Sequence, residues 1–193
     1  MHKAFVDEET LILDSFRLGV KIFEDGFRPS FIVGVWRGGS TVGIYVQECL
    51  QTLGVQSNHI ALRTSYRGME HYQSMLEAPE QEIRVHGTQY LLESLNADDQ
   101  LLLVDDVFSS GRNLEAVIKK LRRHLKRNFP QEVRIATIWQ RPSYRRVDFT
   151  PDYRLYSTED WLVLPYEMCG LSREEIEQHK PFLKPHLHNQ PSE

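Results

Sequence analysis

The chain has 193 residues, 40% of them hydrophobic, and 23 Lys and Arg against 27 Asp and Glu give a net charge of -4. That is enough apolar material for one domain with a real core, and the acidic balance argues against a general affinity for nucleic acid or anionic membrane. Cys49 and Cys169 make neither a disulfide framework nor a metal-type spacing, which fits a reducing compartment. No apolar run is long enough to cross a bilayer, and Asp7, Glu8 and Glu9 stand where a signal peptide would need an apolar core, so the expectation is a cytoplasmic protein.

In chain order, Ile12, Phe16, Val20 and Phe23 recur at intervals of four, four and three, which predicts an amphipathic helix from Glu9 to Glu24 with these residues on its buried face. Phe31-Ile32-Val33-Gly34-Val35 reads as a strand buried on both faces, as in a parallel sheet. The turn Trp36-Arg37-Gly38-Gly39-Ser40 follows, then a helix from about Thr41 to Leu53, stopped by Gly54. His59 to Arg63 is a strand. Residues 64 to 87 are polar and irregular, a functional loop by length, with Gln81 to His86 as one member of a strand pair. Leu101 to Val104 is an apolar strand that ends at Asp105-Asp106, and Leu114, Val117, Ile118, Leu121 and Leu125 mark a long helix. On that helix Lys119, Lys120, Arg122, Arg123, Lys126 and Arg127 crowd together, and a solvated face accounts for them. Val133 to Trp139 is another strand, Tyr153 to Tyr156 and Trp161 to Leu164 are shorter ones, and Ser172 with Glu175 makes a capping box for a last helix. From Lys180 onward prolines and polar residues predict a frayed tail.

Strands alternating with helices give an α/β fold with a mostly parallel central sheet, whose ligands bind beyond the carboxyl ends of the strands. Two loops lie at such ends, Trp36 to Ser40 and Asp105 to Asn113. In the second, adjacent carboxylates suit the vicinal hydroxyls of a sugar, because carboxylates only accept hydrogen bonds. Two serines and a glycine then lead into a helix, whose first backbone amides cradle an anion. Together they describe a ribose 5-phosphate. A Walker B strand would need a partner of the form G-x-x-x-x-G-K-[ST], which the chain lacks, as it lacks the dinucleotide fingerprint G-x-G-x-x-G.

The segment Leu101 to Asn113 resembles the phosphoribosyl pyrophosphate motif of type I phosphoribosyltransferases, and the resemblance is nearest to the hypoxanthine and xanthine-guanine (6-oxopurine) branch. It implies a type I phosphoribosyltransferase fold over residues 1–179, with a mobile lid loop at about 64–87, a small C-terminal hood at about 151–171 and a flexible tail over 180–193. It further implies that Asp105 and Asp106 hold the ribose hydroxyls and Mg2+, and that Ser109, Ser110, Gly111, Arg112 and Asn113 hold the 5-phosphate. Arg37, Gly38 and Gly39 would grip pyrophosphate, in a turn that often contains a cis peptide. Ser65 and Tyr66 match the Ser-Tyr pair of a closing lid that would exclude water. Trp161 would stack on the base beside Leu162, and Glu167 would help hold a second magnesium; the alternative for Trp161 is an ordinary core position. Phosphoribosyl pyrophosphate and a nucleobase are the implied partners, and homo-oligomers, dimers or tetramers, are common in the family.

Three positions depart from the family's pattern. Ser109 stands where active 6-oxopurine enzymes usually carry Asp, Gln140 where they carry Lys for the 6-oxo group, and Asn113 where they usually carry Thr. The first two lie on the base side, so the accepted base, or the rate, is the property they put in question. A phosphoribosyltransferase fold also serves ligand-sensing regulators, or a partner of an active relative, and fold alone does not choose among these.

Overall fold

The computed structural model describes residues 2–66 and 83–186. These form two compact units, one over residues 12–159 and one joining residues 1–11 to 160–193.

The larger unit is built on a six-stranded sheet in the order β4-β3-β2-β5-β6-β7. Its strands are β2 (Phe31–Trp36), β3 (Asn58–Tyr66), β4 (Ile83–His86), β5 (Gln100–Phe108), β6 (Glu132–Gln140) and β7 (Tyr153–Ser157). All pair in parallel except β4, which closes one edge antiparallel to β3. The chain leaves β2 toward β3 on one side and returns to its other side as β5, so the strand order reverses between β2 and β5. That reversal opens the crevice in which open α/β sheets bind ligands.

Helices cover both faces. Alternation along β2 and β5 sends Val33, Val35, Leu101 and Leu103 into a core with Leu114, Val117 and Leu121 of the helix Arg112–Leu125, and with Leu91 of the short helix Gln89–Ser94. We call the helices of this unit α1 (Glu8–Glu24), α2 (Gly38–Thr52), α3 (Gln89–Ser94) and α4 (Arg112–Leu125). On the opposite face α1 and α2 cross closely: a Cβ on Gly19 would lie 2.8 Å from Cys49 Cβ, and the Cys49 thiol donates to the Phe16 carbonyl at 3.4 Å.

The crossing corrects the expected face of α1. Ser15, Leu18 and Ile22 are fully buried, whereas Phe16 and Val20 are 37% and 40% exposed. Asp14 is buried as well, and it accepts hydrogen bonds from Arg17 Nη1 at 3.0 Å and from the Tyr156 hydroxyl at 3.0 Å. A polar residue that pairs inside the fold hid the true stripe from hydrophobic periodicity. Other boundaries move too. Helix α2 starts at Gly38 rather than Thr41, β3 runs on to include Thr64, Ser65 and Tyr66, and β5 continues through the acid pair to Phe108. Residues 151–159, expected in the hood, carry β7, the last strand of the large sheet.

In the smaller unit β1 (Lys3–Phe5) pairs in parallel with β8 (Trp161–Val163), Lys3 opposite Trp161 and Ala4 opposite Leu162. A short helix, α5 (Arg173–His179), is closed by the predicted capping box: Glu175 N–H donates to Ser172 Oγ at 3.2 Å, and Ser172 N–H to Glu175 Oε2 at 2.8 Å. Lys3 Nζ reaches the same carboxylate at 2.8 Å, and the Phe5 ring stacks on His179. Lys180 is buried, donating to the carbonyls of Leu164 at 3.1 Å and Pro165 at 2.7 Å, so the chain is anchored where a frayed tail was expected to begin. Residues 181–186 form 3-10 turns, and the remainder of the expected tail, 187–193, lies outside the described residues. Among the described residues no helix is long and apolar enough to cross a membrane.

Candidate active site

Pairing between β2 and β5 stops at Gly34 and Val104. Beyond that point Arg37, Gly38, Gly39 and Ser40 turn into α2, and Gly39 sits directly on β5. A Cβ on Gly39 would lie 2.3 Å from the Val104 carbonyl oxygen and 2.9 Å from Asp105 Cα. These are backbone atoms that cannot give way, so only glycine fits. Two glycines opening a helix cost about 1 kcal/mol each relative to alanine. The turn keeps Gly39 because close approach, not helix propensity, decides the position. The Trp36-Arg37 peptide is cis, as the resemblance implied.

Asp105 and Asp106 lie within β5. Each carboxylate accepts the next backbone amide, Asp106 N–H to Asp105 Oδ1 at 3.1 Å and Val107 N–H to Asp106 Oδ1 at 2.8 Å. Burial, and then the neighbouring Asp106 charge, pushes the Asp105 carboxyl well above the usual carboxylate range. Such a site favours neutral Asp105 until hydroxyl donors or a cation offset the burial.

After Phe108 the chain passes through Ser109 and Ser110 to Gly111, which adopts a left-handed conformation (φ 77°) and caps α4. A Cβ there would lie 2.5 Å from Val147 Cγ2 and 2.7 Å from Phe108 Cζ. Conformation and space therefore both require glycine. The loop is braced from β6, as Arg141 N–H donates to the Phe108 carbonyl at 2.9 Å and Arg146 N–H to the Ser110 carbonyl at 3.0 Å. The first turn of the 14-residue α4 follows the loop directly, and Arg112 N–H donates to Ser110 Oγ at 3.4 Å.

Four polar atoms around this crevice, Ser40 Oγ, Ser109 Oγ, Asn113 Oδ1 and Thr137 Oγ1, are buried without a hydrogen-bond partner among the described residues. Leaving such a group unpaired costs about 1–3 kcal/mol, so a cluster of them marks a place built for more than packing. Ser40 and Thr137 escaped the sequence reading of the site. Thr137 is a fully buried hydroxyl between the apolar pairs Ile135-Ala136 and Ile138-Trp139, and a lone hydroxyl in that run was the available signal.

Gln140 closes β6, buried and in register with Phe108, which places it beside the loop. Arg141 is buried too, but its guanidinium lies 3.9 Å from the Tyr144 ring centre and donates to the Glu159 carbonyl. Ser65 is a strand residue rather than part of an irregular loop. It stands opposite Arg84, with its hydroxyl 2.9 Å from His86 Nε2. Tyr66 ends the same strand, and residues 67–82 of the expected lid lie outside the described residues. Trp161, Leu162 and Glu167 belong to the smaller unit. There Trp161 is half-buried on β8 with its amide on the His2 carbonyl, and Glu167 Oε2 accepts from Leu164 N–H at 3.2 Å.

Among the described residues no group of three or more His, Cys, Asp or Glu side chains could enclose a metal ion. The acid pair does fit Mg2+, which is commonly held by one or two carboxylates with substrate phosphates and water completing an octahedron.

Fold and site together define a doubly wound α/β protein with an acid pair and a glycine-capped helix N-terminus at the reversal of its sheet. Its sequence belongs to the phosphoribosyl transferase domain family, whose model matches residues 4–169. No curated protein sequence matches the chain. Among solved structures, a purine phosphoribosyltransferase from Pyrococcus horikoshii is 22% identical with a TM-score of 0.65, covering 90% of this chain and 99% of that one. The Helicobacter pylori xanthine-guanine-hypoxanthine phosphoribosyltransferase is 19% identical with a TM-score of 0.61, covering 96% and 100%. A hypothetical protein from Neisseria gonorrhoeae with bound ppGpp is 15% identical with a TM-score of 0.70, covering 96% and 97%. These likenesses bear out the type I phosphoribosyltransferase fold.

Proposed function

We propose that the chain transfers a 5-phosphoribosyl group from phosphoribosyl pyrophosphate to a purine-type base, giving a nucleoside monophosphate and pyrophosphate in nucleotide salvage. The observation that supports this reading is the contact of Gly39 with Val104 and Asp105, which sets the glycine turn against the acid pair. Asp105 and Asp106 accept hydrogen bonds from the ribose 2- and 3-hydroxyls. The amides of α4, with Ser109, Ser110 and Asn113, receive the 5-phosphate, and the turn at Arg37 to Ser40 receives the diphosphate.

The chemistry is a displacement at the anomeric carbon. Its bond to the pyrophosphate oxygen breaks, with the electron pair leaving on that oxygen, while a ring-nitrogen lone pair of the base forms the new bond and the nitrogen's proton passes to solvent. Asp105 and Asp106 would hold Mg2+, whose positive charge would stabilise the departing diphosphate. The residues of this chain orient the reactants and stabilise charge, and no covalent intermediate with the protein is needed. The base would lie near Ser109 and Gln140. A 6-oxopurine is the first base to test.

A second reading is favoured by the Neisseria structure with bound ppGpp and by Ser109 in place of an ionised side chain. On that reading the site binds a nucleotide or phosphoribosyl pyrophosphate as a regulatory signal. One experiment separates the two. Pyrophosphate release is followed with phosphoribosyl pyrophosphate, Mg2+ and each of hypoxanthine, guanine, xanthine, adenine, uracil and orotate. Release with one base, lost in Asp106→Ala, supports the transferase; no release with any, while phosphoribosyl pyrophosphate still raises the melting temperature, supports the regulator.

A further inference from the structure

The basic residues of α4 are not a uniform solvated face. Arg112, Lys119, Lys120 and Arg123 fall at i, i+7, i+8 and i+11, one stripe of the helix, and that stripe faces the edge strand β4 across a groove of about 750 Å3. Arg84 and His86 of β4 are among the residues that line it. Glu115 is the one carboxylate among the described lining residues, and Lys119 already holds it at 2.7 Å. Lys120 Nζ donates to the Val85 carbonyl at 2.6 Å, tying helix to strand and fixing the width of the groove. Arg84 and Arg123 make no ion pair with another described residue. All of this stands in a chain whose net charge is -4. Like charges at i, i+4, as in Lys119 and Arg123, cost a helix about 0.2–0.5 kcal/mol, so the concentration works against the stability of α4.

We propose that this groove is a binding site for a compact polyphosphate, either an inorganic chain or the phosphate tail of a nucleotide. Guanidinium and ammonium groups spaced along the α4 stripe match closely spaced phosphates. The volume lies within the range of small-ligand sites, about 300–1,000 Å3. Among the described residues the lining contains no Phe, Tyr or Trp, the stacking platforms on which proteins hold successive bases of a single strand. Arg112 directly follows Gly111, so a polyphosphate in the groove would share a residue with the loop of the candidate active site. The proposal stands apart from the transferase reading, because the groove is defined by β4 and α4 whatever the crevice binds.

The test is calorimetric titration of the full chain with sodium tripolyphosphate, GTP and a single-stranded RNA of about 20 nucleotides at low salt. Wild type is compared with Lys119→Glu/Arg123→Glu and, for equal charge change outside the groove, with Arg122→Glu/Arg127→Glu, on α4 and in the 3-10 turn that follows it. Melting temperatures show that both variants are folded. The expected result is loss of tripolyphosphate affinity by about tenfold or more in the first variant, the equivalent of one well-placed charged contact, and little change in the second. GTP binding about tenfold tighter than tripolyphosphate would assign the site to a nucleotide, and equal or weaker binding to an inorganic chain. Equal losses in both variants, no binding to wild type, or tighter binding of RNA that the first variant abolishes would each overturn the proposal.

Discussion

Gly39 and Asp105 meet backbone to backbone: a Cβ on the glycine would stand 2.9 Å from Asp105 Cα. The contact joins two loops that are distant in sequence, one opening α2 and one leading to α4, at the point where the sheet reverses. Everything proposed for the crevice depends on it, because it sets the distance between the anion turn and the acid pair.

Gly39→Ala therefore tests the crevice directly. Overpacking against fixed atoms typically costs about 1–3 kcal/mol, and here the neighbour that must move is Asp105. The expected outcome is a lower melting temperature together with loss of the thermal shift given by phosphoribosyl pyrophosphate and Mg2+. A folded variant with an undiminished shift would separate the turn from the ligand site.

Asp105 carries a stability cost at neutral pH. Its folded pKa is raised by burial and by Asp106, so the unfolded chain releases this proton first as pH rises. Stability falls from the unfolded value, about 3.9, up to the folded pKa and then stays reduced. Asp105→Asn removes the deficit. We predict a higher melting temperature than wild type at pH 7, no such gain below about pH 3.5, and a weaker response to phosphoribosyl pyrophosphate. A melting temperature at pH 7 no higher than wild type would contradict the assignment.

Asp25, Arg134 and Tyr153 form a separate network on the larger unit. The Tyr153 hydroxyl donates to Asp25 Oδ2 at 2.8 Å, and Arg134 contacts both partners. The Tyr153 bond, with Arg134 next, holds the Asp25 carboxyl below its ordinary value, so its contribution is present above the unfolded pKa and lost as pH falls through the folded one. Tyr153, moved chiefly by burial, is pushed up to about 12. An unfolded phenol ionises near pH 10, so its contribution is lost as pH rises from about 10 toward that value. Asp25→Asn should lower the melting temperature at pH 7 and converge with wild type in strong acid. Tyr153→Phe should flatten the alkaline limb, and parallel pH profiles for variant and wild type would rule the network out.

Ser109→Asp with Gln140→Lys restores the pattern usual on the base side of 6-oxopurine enzymes. We predict that kcat/KM for hypoxanthine or guanine rises by at least about tenfold, since a site that hydrogen-bonds its base discriminates strongly against others. No gain with either base would show that the departures do not determine base choice.

Local chemistry made much of this protein legible from its sequence. The apolar runs at Phe31–Val35 and Leu101–Val104 specify buried parallel strands because both faces need apolar side chains. The order Asp-Asp, two serines, glycine, helix specifies a tight strand-to-helix turn, because Gly111 alone among them takes the left-handed conformation that caps the helix. Ser172 and Glu175 close α5 through contacts only three residues apart. What escaped depends on neighbours far along the chain. The buried face of α1 was misread because Asp14 is held by Tyr156, and the short β1 has no signal until β8 pairs with it. Ser65 joined a strand because β4 supplies its partner. Likewise the basic residues of α4 become one side of a groove only because β4 lies beside them, where Lys120 reaches the Val85 carbonyl. Periodicity and motif report what a segment needs, whereas its tertiary partner decides which of those needs are met and by whom.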